Sequence, residues 1–159
     1  MHLAELNVAH LRAPIDAPEL AEFVALLEPI NAVADEAPGF VWRMKESESD
    51  PTATVTHDYG DHLLINFSVW ESLETLWNYA YRSAHLDVLR RRREWFLRVA
   101  EPYMVMWWIP EGHIPTLAEG MARLERLKAE GPSPAAFTFK DSYTSSEAAS
   151  LPAAAEARK

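Results

Sequence analysis

Residues 62–109 read HLLINFSVWESLETLWNYAYRSAHLDVLRRRREWFLRVAEPYMVMWWI, and the fold turns on the change of period within them. An alternating run at about 62–70 reads as a strand. It gives way to residues 72–98, where Leu73, Leu76, Trp77, Ala80 and Tyr81 open a helical pattern that contains no proline or glycine. Ser72 is placed to cap that long helix. Residues 103–109 are an aromatic-rich run of strand length, bounded by Pro110 and Gly112.

Upstream the same order appears once more. Residues 3–11 read as a strand that Pro14 and Pro18 halt. Asp16 can cap a helix carrying Leu20, Phe23, Leu27 and Ile30 at helical spacing, which Pro29 should kink or divide. Pro38-Gly39 marks a turn, residues 40–45 form the next strand, and the polar stretch 46–61 is a long hairpin connection. The order β-α-β-β-α-β is a split βαβ arrangement: an α+β, ferredoxin-like antiparallel sheet of four strands with both helices on one face. Thr116 caps a further C-terminal helix that Gly131-Pro132 stops, and residues 137–139 can add a short edge strand. The domain is thus placed at 1–141. Residues 142–159, rich in Ala, Ser and Glu, are expected to be a flexible tail, because they offer too little apolar surface to offset their ordering entropy.

A chain of 159 residues suits one core, and six tryptophans, six phenylalanines and five tyrosines supply bulk to fill it. The formal charge of −9 opposes binding to nucleic acid and anionic membranes. The only basic block, residues 90–93, lies within the helical pattern, where it reads as a solvated face. No cysteine is present, so disulfides, thiolate nucleophiles and cysteinyl metal sites are excluded. The N-terminus lacks the basic and apolar regions of a signal peptide, and no run approaches the roughly 18 apolar residues of a membrane span, so a cytoplasmic address is expected.

Alternation divides the third strand into Leu63, Ile65, Phe67 and Val69 against Leu64, Asn66, Ser68 and Trp70. The fourth divides into Met104, Met106 and Trp108 against Val105, Trp107 and Ile109. Both faces are apolar. Helices on one face leave the other in need of a cover, and a homodimer is the expected one.

Between the helices and the sheet, a small-molecule pocket is expected. His85 shares a helical stripe with Tyr81 and Leu89, which makes it a candidate general base or axial haem ligand, or else a core histidine holding a backbone carbonyl. Asn66 and Ser68, with Asn7 across the sheet, either orient a ligand or satisfy one another. Arg43 can hold an anion or an oxyanion, or pair with one of the many carboxylates. Trp42, Trp70, Tyr81, Met106 and Trp108 are the expected apolar lining, though aromatics at such spacing also build plain core. His57, Asp58, Asp61 and His62 form a short cluster without fixed geometry, and no metal is expected there. Nucleotide, α/β-hydrolase and zincin motifs are absent from the sequence.

Several segments together carry a resemblance. They are Leu6-Asn7-Val8-Ala9, Phe40-Val41-Trp42-Arg43, the block from Tyr81-Arg82-Ser83-Ala84-His85 to Glu94-Trp95-Phe96, and Trp107-Trp108-Ile109-Pro110 with Gly112-His113-Ile114-Pro115. Over roughly residues 3–140 the chain resembles the DUF3291 family. More diffusely, Val69-Trp70-Glu71-Ser72-Leu73-Glu74 and Ser83-Ala84-His85 resemble the antibiotic biosynthesis monooxygenase-like dimeric α/β-barrel proteins. The resemblance implies a dimeric α/β barrel and, by superfamily analogy, a cofactor-independent monooxygenase-like enzyme acting on an aromatic or polyketide-like substrate. Haem enzymes of the same superfamily leave open a second reading with His85 on iron. A non-catalytic ligand-binding dimer is the third.

Overall fold

The computed structural model describes residues 1–45 and 62–151. The expected loop at 46–61, with His57, Asp58 and Asp61, lies outside the described residues. Strands β1 (His2–His10), β2 (Phe40–Arg43), β3 (Leu63–Trp70) and β4 (Met104–Ile109) form one antiparallel sheet in the order β2-β3-β1-β4. That is the α+β split βαβ topology expected from the periodicities. Central β1 pairs with both β3 and β4, aligning Glu5 with Ser68 on one side and Met106 on the other, and Asn7 with Asn66 and Met104.

Helix α1 (Ala21–Glu36) follows a short 3-10 turn at Pro18–Leu20 whose N-cap is Ala17, with no side-chain cap, so Asp16 does not serve as one. Pro29 sits inside α1 without dividing it. Proline removes one donor, but Pro29 and Ala25, the carbonyl owner one turn back, are both exposed, so water can satisfy the orphaned oxygen.

The long helix expected over 72–98 is instead α2 (Leu73–Arg82), α3 (His85–Arg90) and α4 (Arg92–Trp95). Ser72 caps α2 in a reciprocal capping box with Thr75. The break comes at Ser83, whose backbone is extended. Its hydroxyl donates to the Tyr79 carbonyl and accepts the His85 amide N–H at 3.2 Å, so a local side-chain contact replaces helical hydrogen bonding.

Helices α1 to α4 lie on the face of Leu64, Ser68 and Trp70, where Phe23 and Trp95 pack on Leu64 and Leu76 packs on Trp70. The opposite face is not bare. Helix α5 (Leu117–Glu130) lays Leu124 and Leu127 against Leu6, Val8, Phe67 and Trp107. Gly120 makes this approach possible: a Cβ there would stand 2.6 Å from Leu6 Cδ1 and 3.1 Å from Phe67 Cζ. Leu6, Phe67, Val69, Val105 and Trp107 are all buried within the single chain. Each such side chain contributes on the order of 1.5–3 kcal/mol when fully buried. The apolar face from which a homodimer was expected is therefore already covered.

Residues just past the expected boundary at 141 make defined contacts. The Trp108 indole N–H donates to the Tyr143 carbonyl at 2.8 Å, and the Tyr143 ring packs on Phe137. Thr144 then caps α6 (Ser145–Ala149) in a second capping box with Glu147. Packing of Tyr143 and these cap bonds hold the segment despite its composition. The expected edge strand at 137–139 reduces to one bridge, Phe137 with Met106, on the free edge of β4.

Candidate functional site

A cavity of about 260 Å³ lies between the sheet and helices α1 to α3. Its floor is built by β1 and β3, since residues 3, 5, 7 and 9 of β1 share the face of residues 64, 66, 68 and 70 of β3. On this floor lies Glu5, a carboxyl 4% exposed and not foreseen from the sequence. Asn7 Nδ2 donates to Glu5 Oε1 at 2.7 Å, Ser68 Oγ donates to Oε2 at 3.4 Å, and Trp70 Nε1 donates to Ser68 Oγ at 2.9 Å. Asn66 Nδ2 in turn donates to Asn7 Oδ1 at 3.1 Å. Two chains of donors, Asn66 through Asn7 and Trp70 through Ser68, thus converge on one buried carboxyl.

Burial pushes the Glu5 carboxyl from 4.5 up to about 7, against the opposing pull of the Asn7 and Ser68 hydrogen bonds. The Tyr79 hydroxyl is raised too, first by burial and then by the Glu5 charge, so it stays protonated. The Tyr79 ring stacks on Trp70 at 5.0 Å between centroids and meets the His85 imidazole at a tilt of 39°, 4.8 Å between centroids.

His85 is not mid-helix. It begins α3 after the Ser83 break, and its Nδ1 lies 3.1 Å from the Ala80 carbonyl, one of those orphaned by the end of α2. That carbonyl can only accept, so Nδ1 carries the proton and Nε2 is left as an acceptor. Burial lowers the His85 pKa, opposed by the Ala80 contact, which keeps the ring neutral at pH 7.

Arg43 reaches the same face through a β-bulge. Phe40 pairs with Trp70, yet Trp42 pairs with Val69 and Arg43 with Ser68. Simple alternation would have put Trp42 beside Phe40. The extra residue reverses the parity, turning Arg43 toward the cavity and Trp42 outward onto Phe67, 5.5 Å between ring centroids. Arg43 is clamped by Asp35 of α1, with Nε donating at 2.7 Å and Nη2 at 3.3 Å.

Of the residues proposed from the sequence, Asn7, Arg43, Asn66, Ser68, Trp70, Tyr81 and His85 line the cavity. Trp42, Met106 and Trp108 do not. Met106 is fully buried in the core beside Leu3 and Phe137, and the Trp108 indole is committed to Tyr143. The omitted residue, Glu5, had a readable signal: it sits two positions before Asn7, and so shares its face. His113 and Glu119 pair at 3.0 Å on the α5 side of the sheet, away from this cavity.

The buried Glu5 carboxyl on the cavity floor gives no support to a haem there. Among the described residues no group of three or more His, Asp or Glu side chains is arranged to hold a metal ion. No helix among them is long and apolar enough to cross a membrane.

No curated protein matches the chain. The crystal structure of SnoaB, a cofactor-independent oxygenase from Streptomyces nogalater, is similar to it at 15% identity and a TM-score of 0.48, covering 74% of this chain and 98% of that one. A family described as a domain of unknown function matches residues 2–153, nearly the whole chain, and the protein therefore belongs to the DUF3291 family.

Proposed function

We propose that the cavity is the active site of a small-molecule enzyme in which Glu5 is the general base. The reading rests on one observation: a buried carboxyl, held near pH 7 by burial, on the floor of a largely apolar cavity. A base works best when its pKa lies near the working pH, because it is then ionised often enough to accept a proton and still holds it well enough to drive the transfer. The substrate is a small, mostly apolar molecule with an acidic C–H or O–H, of the aromatic or polyketide-like kind. Asn66 spends one amide N–H on Asn7 and keeps a second for the oxyanion that forms as the proton leaves. Neutral His85 offers Nε2 as an acceptor to orient a substrate hydroxyl. A carbanion formed in this way is itself an electron donor, so we propose a cofactor-independent monooxygenase-like step in which it forms a C–O bond to dioxygen; the resulting hydroperoxide breaks its O–O bond and loses the second C–H proton, leaving one oxygen as a ketone and releasing the other as water.

Proton abstraction can be read without knowing the natural substrate. 2-Tetralone, a bicyclic ketone with acidic hydrogens beside its carbonyl, is incubated in D2O with the protein, and exchange is followed by NMR. The wild type is expected to accelerate exchange, and Glu5→Gln to lose on the order of 100-fold or more of the acceleration. Equal exchange in the two proteins would refute Glu5 as the base.

A further inference from the structure

The four-arginine run at 90–93 does not behave as one solvated face. Arg90 and Arg93 are exposed, and Arg91 pairs with Glu22 at 2.7 Å and Glu94 at 2.7 Å. Arg92 instead turns inward to line the cavity, half-buried. Its Nη1 donates to the Tyr103 hydroxyl at 2.8 Å, and its guanidinium carbon lies 4.5 Å from the Tyr103 ring centroid. Both contacts are to one residue, Tyr103, and neither is to a carboxylate. Among the described residues no carboxylate pairs with Arg92, although the chain carries 24 acidic residues against 15 Lys and Arg.

The other charged groups of the lining are accounted for. Arg43 is paired with Asp35, the His85 ring is neutral, and burial disfavours the charged form of Glu5. Arg92 is thus the positive charge that the cavity lining leaves uncompensated by a carboxylate. It lines the cavity beside the partly exposed Tyr103. Tyr103 is fixed there because its carbonyl accepts the Val8 N–H at 2.8 Å. Met106, the β4 partner of Glu5, lies three positions further along, so roughly 10 Å of strand separates the two levels. The lining also carries aromatic rings: Tyr81 and Phe139 meet at 5.7 Å, with Trp77 packed behind both.

We propose that Arg92 makes this cavity selective for flat aromatic monoanions, its guanidinium gripping a carboxylate while the apolar body of the ligand extends toward Glu5. A planar guanidinium that already donates to a neutral hydroxyl has further N–H groups in the fork that suits a carboxylate. Ring faces in the lining suit a planar body. The inference rests on the reading of the cavity as a small-molecule site and names the ligand class for it.

The test compares 2-naphthoate with 2-naphthamide, equal in shape and different in charge, by titration calorimetry at pH 6, where Glu5 is mostly neutral. Wild type should bind the carboxylate at least about tenfold more tightly than the amide, an advantage that shrinks as salt is raised. Arg92→Gln should bring the ratio close to one, with the fold of the variant checked independently by its circular dichroism spectrum. Arg92→Lys should restore part of the ratio. Equal binding of both compounds by wild type, or an unchanged ratio in Arg92→Gln, overturns the role of Arg92. Absence of binding by either compound overturns this inference and the small-molecule reading together. Carboxylate selectivity alongside undiminished 2-tetralone exchange in Glu5→Gln would remove the base assignment alone.

Discussion

Replacing Glu5 by glutamine keeps the shape of the side chain and removes its ability to ionise, which isolates the cost of the buried charge. The carboxyl moves from 4.5 in the unfolded chain to about 7 in the fold, with burial as the main cause. At 1.36 kcal/mol per unit that difference amounts to about 3 kcal/mol. The sign follows from proton counting. Between pH 4.5 and 7 the folded protein holds a proton on Glu5 that the unfolded chain has released, so stability falls as pH rises. The contribution is present in full below about pH 4.5, declines across that window, and is gone above about pH 7. Urea unfolding of wild type and Glu5→Gln at half-unit steps from pH 4.5 to 8 measures it directly. The variant should gain about 3 kcal/mol on wild type across the window and then hold level. A difference that stays flat from pH 4.5 to 8 would refute the claim that burial raises Glu5, and the case for it as a base at neutral pH would go with it.

Two further outcomes follow from the packing. Gly120→Ala should lose about 1 kcal/mol by chemical denaturation, because crowding Leu6 and Phe67 costs about 1–3 kcal/mol while the gain in helix propensity returns at most about 1; a stabilised variant would contradict the close approach of α5. In a proton NMR titration His85 should protonate below 6.5, and substituting Ala for Tyr79, which helps to bury it, should bring its midpoint back toward that value. An unshifted His85 in wild type would show that the ring is solvated.

What was legible in the sequence depended on periodicity, and what was not depended on single residues that interrupt it. Strands β1, β3 and β4 show alternation over at least six residues, which is enough to assign faces, and Asn7, Asn66 and Ser68 do fall on one face. Strand β2 is four residues long and bulged between Phe40 and Trp42, so parity misplaced Trp42. The helix break at Ser83 carries neither proline nor glycine; a serine hydroxyl that competes for backbone groups is too common to mark one. Met106 and Trp108 have the expected parity but sit where Phe137 and Tyr143, remote in sequence, close over them. Glu5 was passed over because a charged residue in a strand is usually an exposed one. Gly120 was the available clue to where α5 docks, since a glycine within a helix that has a reason to be there often marks close backbone approach.

The position of α5 bears on how the protein responds to dilution. Its cover for the outer sheet face is tethered to β4 by residues 110–116, a linker short enough to hold it at an effective concentration in the millimolar range. A lid supplied by a second copy would come off as protein concentration falls, and the melting temperature would drop with it. A lid carried on the same chain cannot be diluted away, so the core beneath it is as well sealed at nanomolar as at micromolar protein.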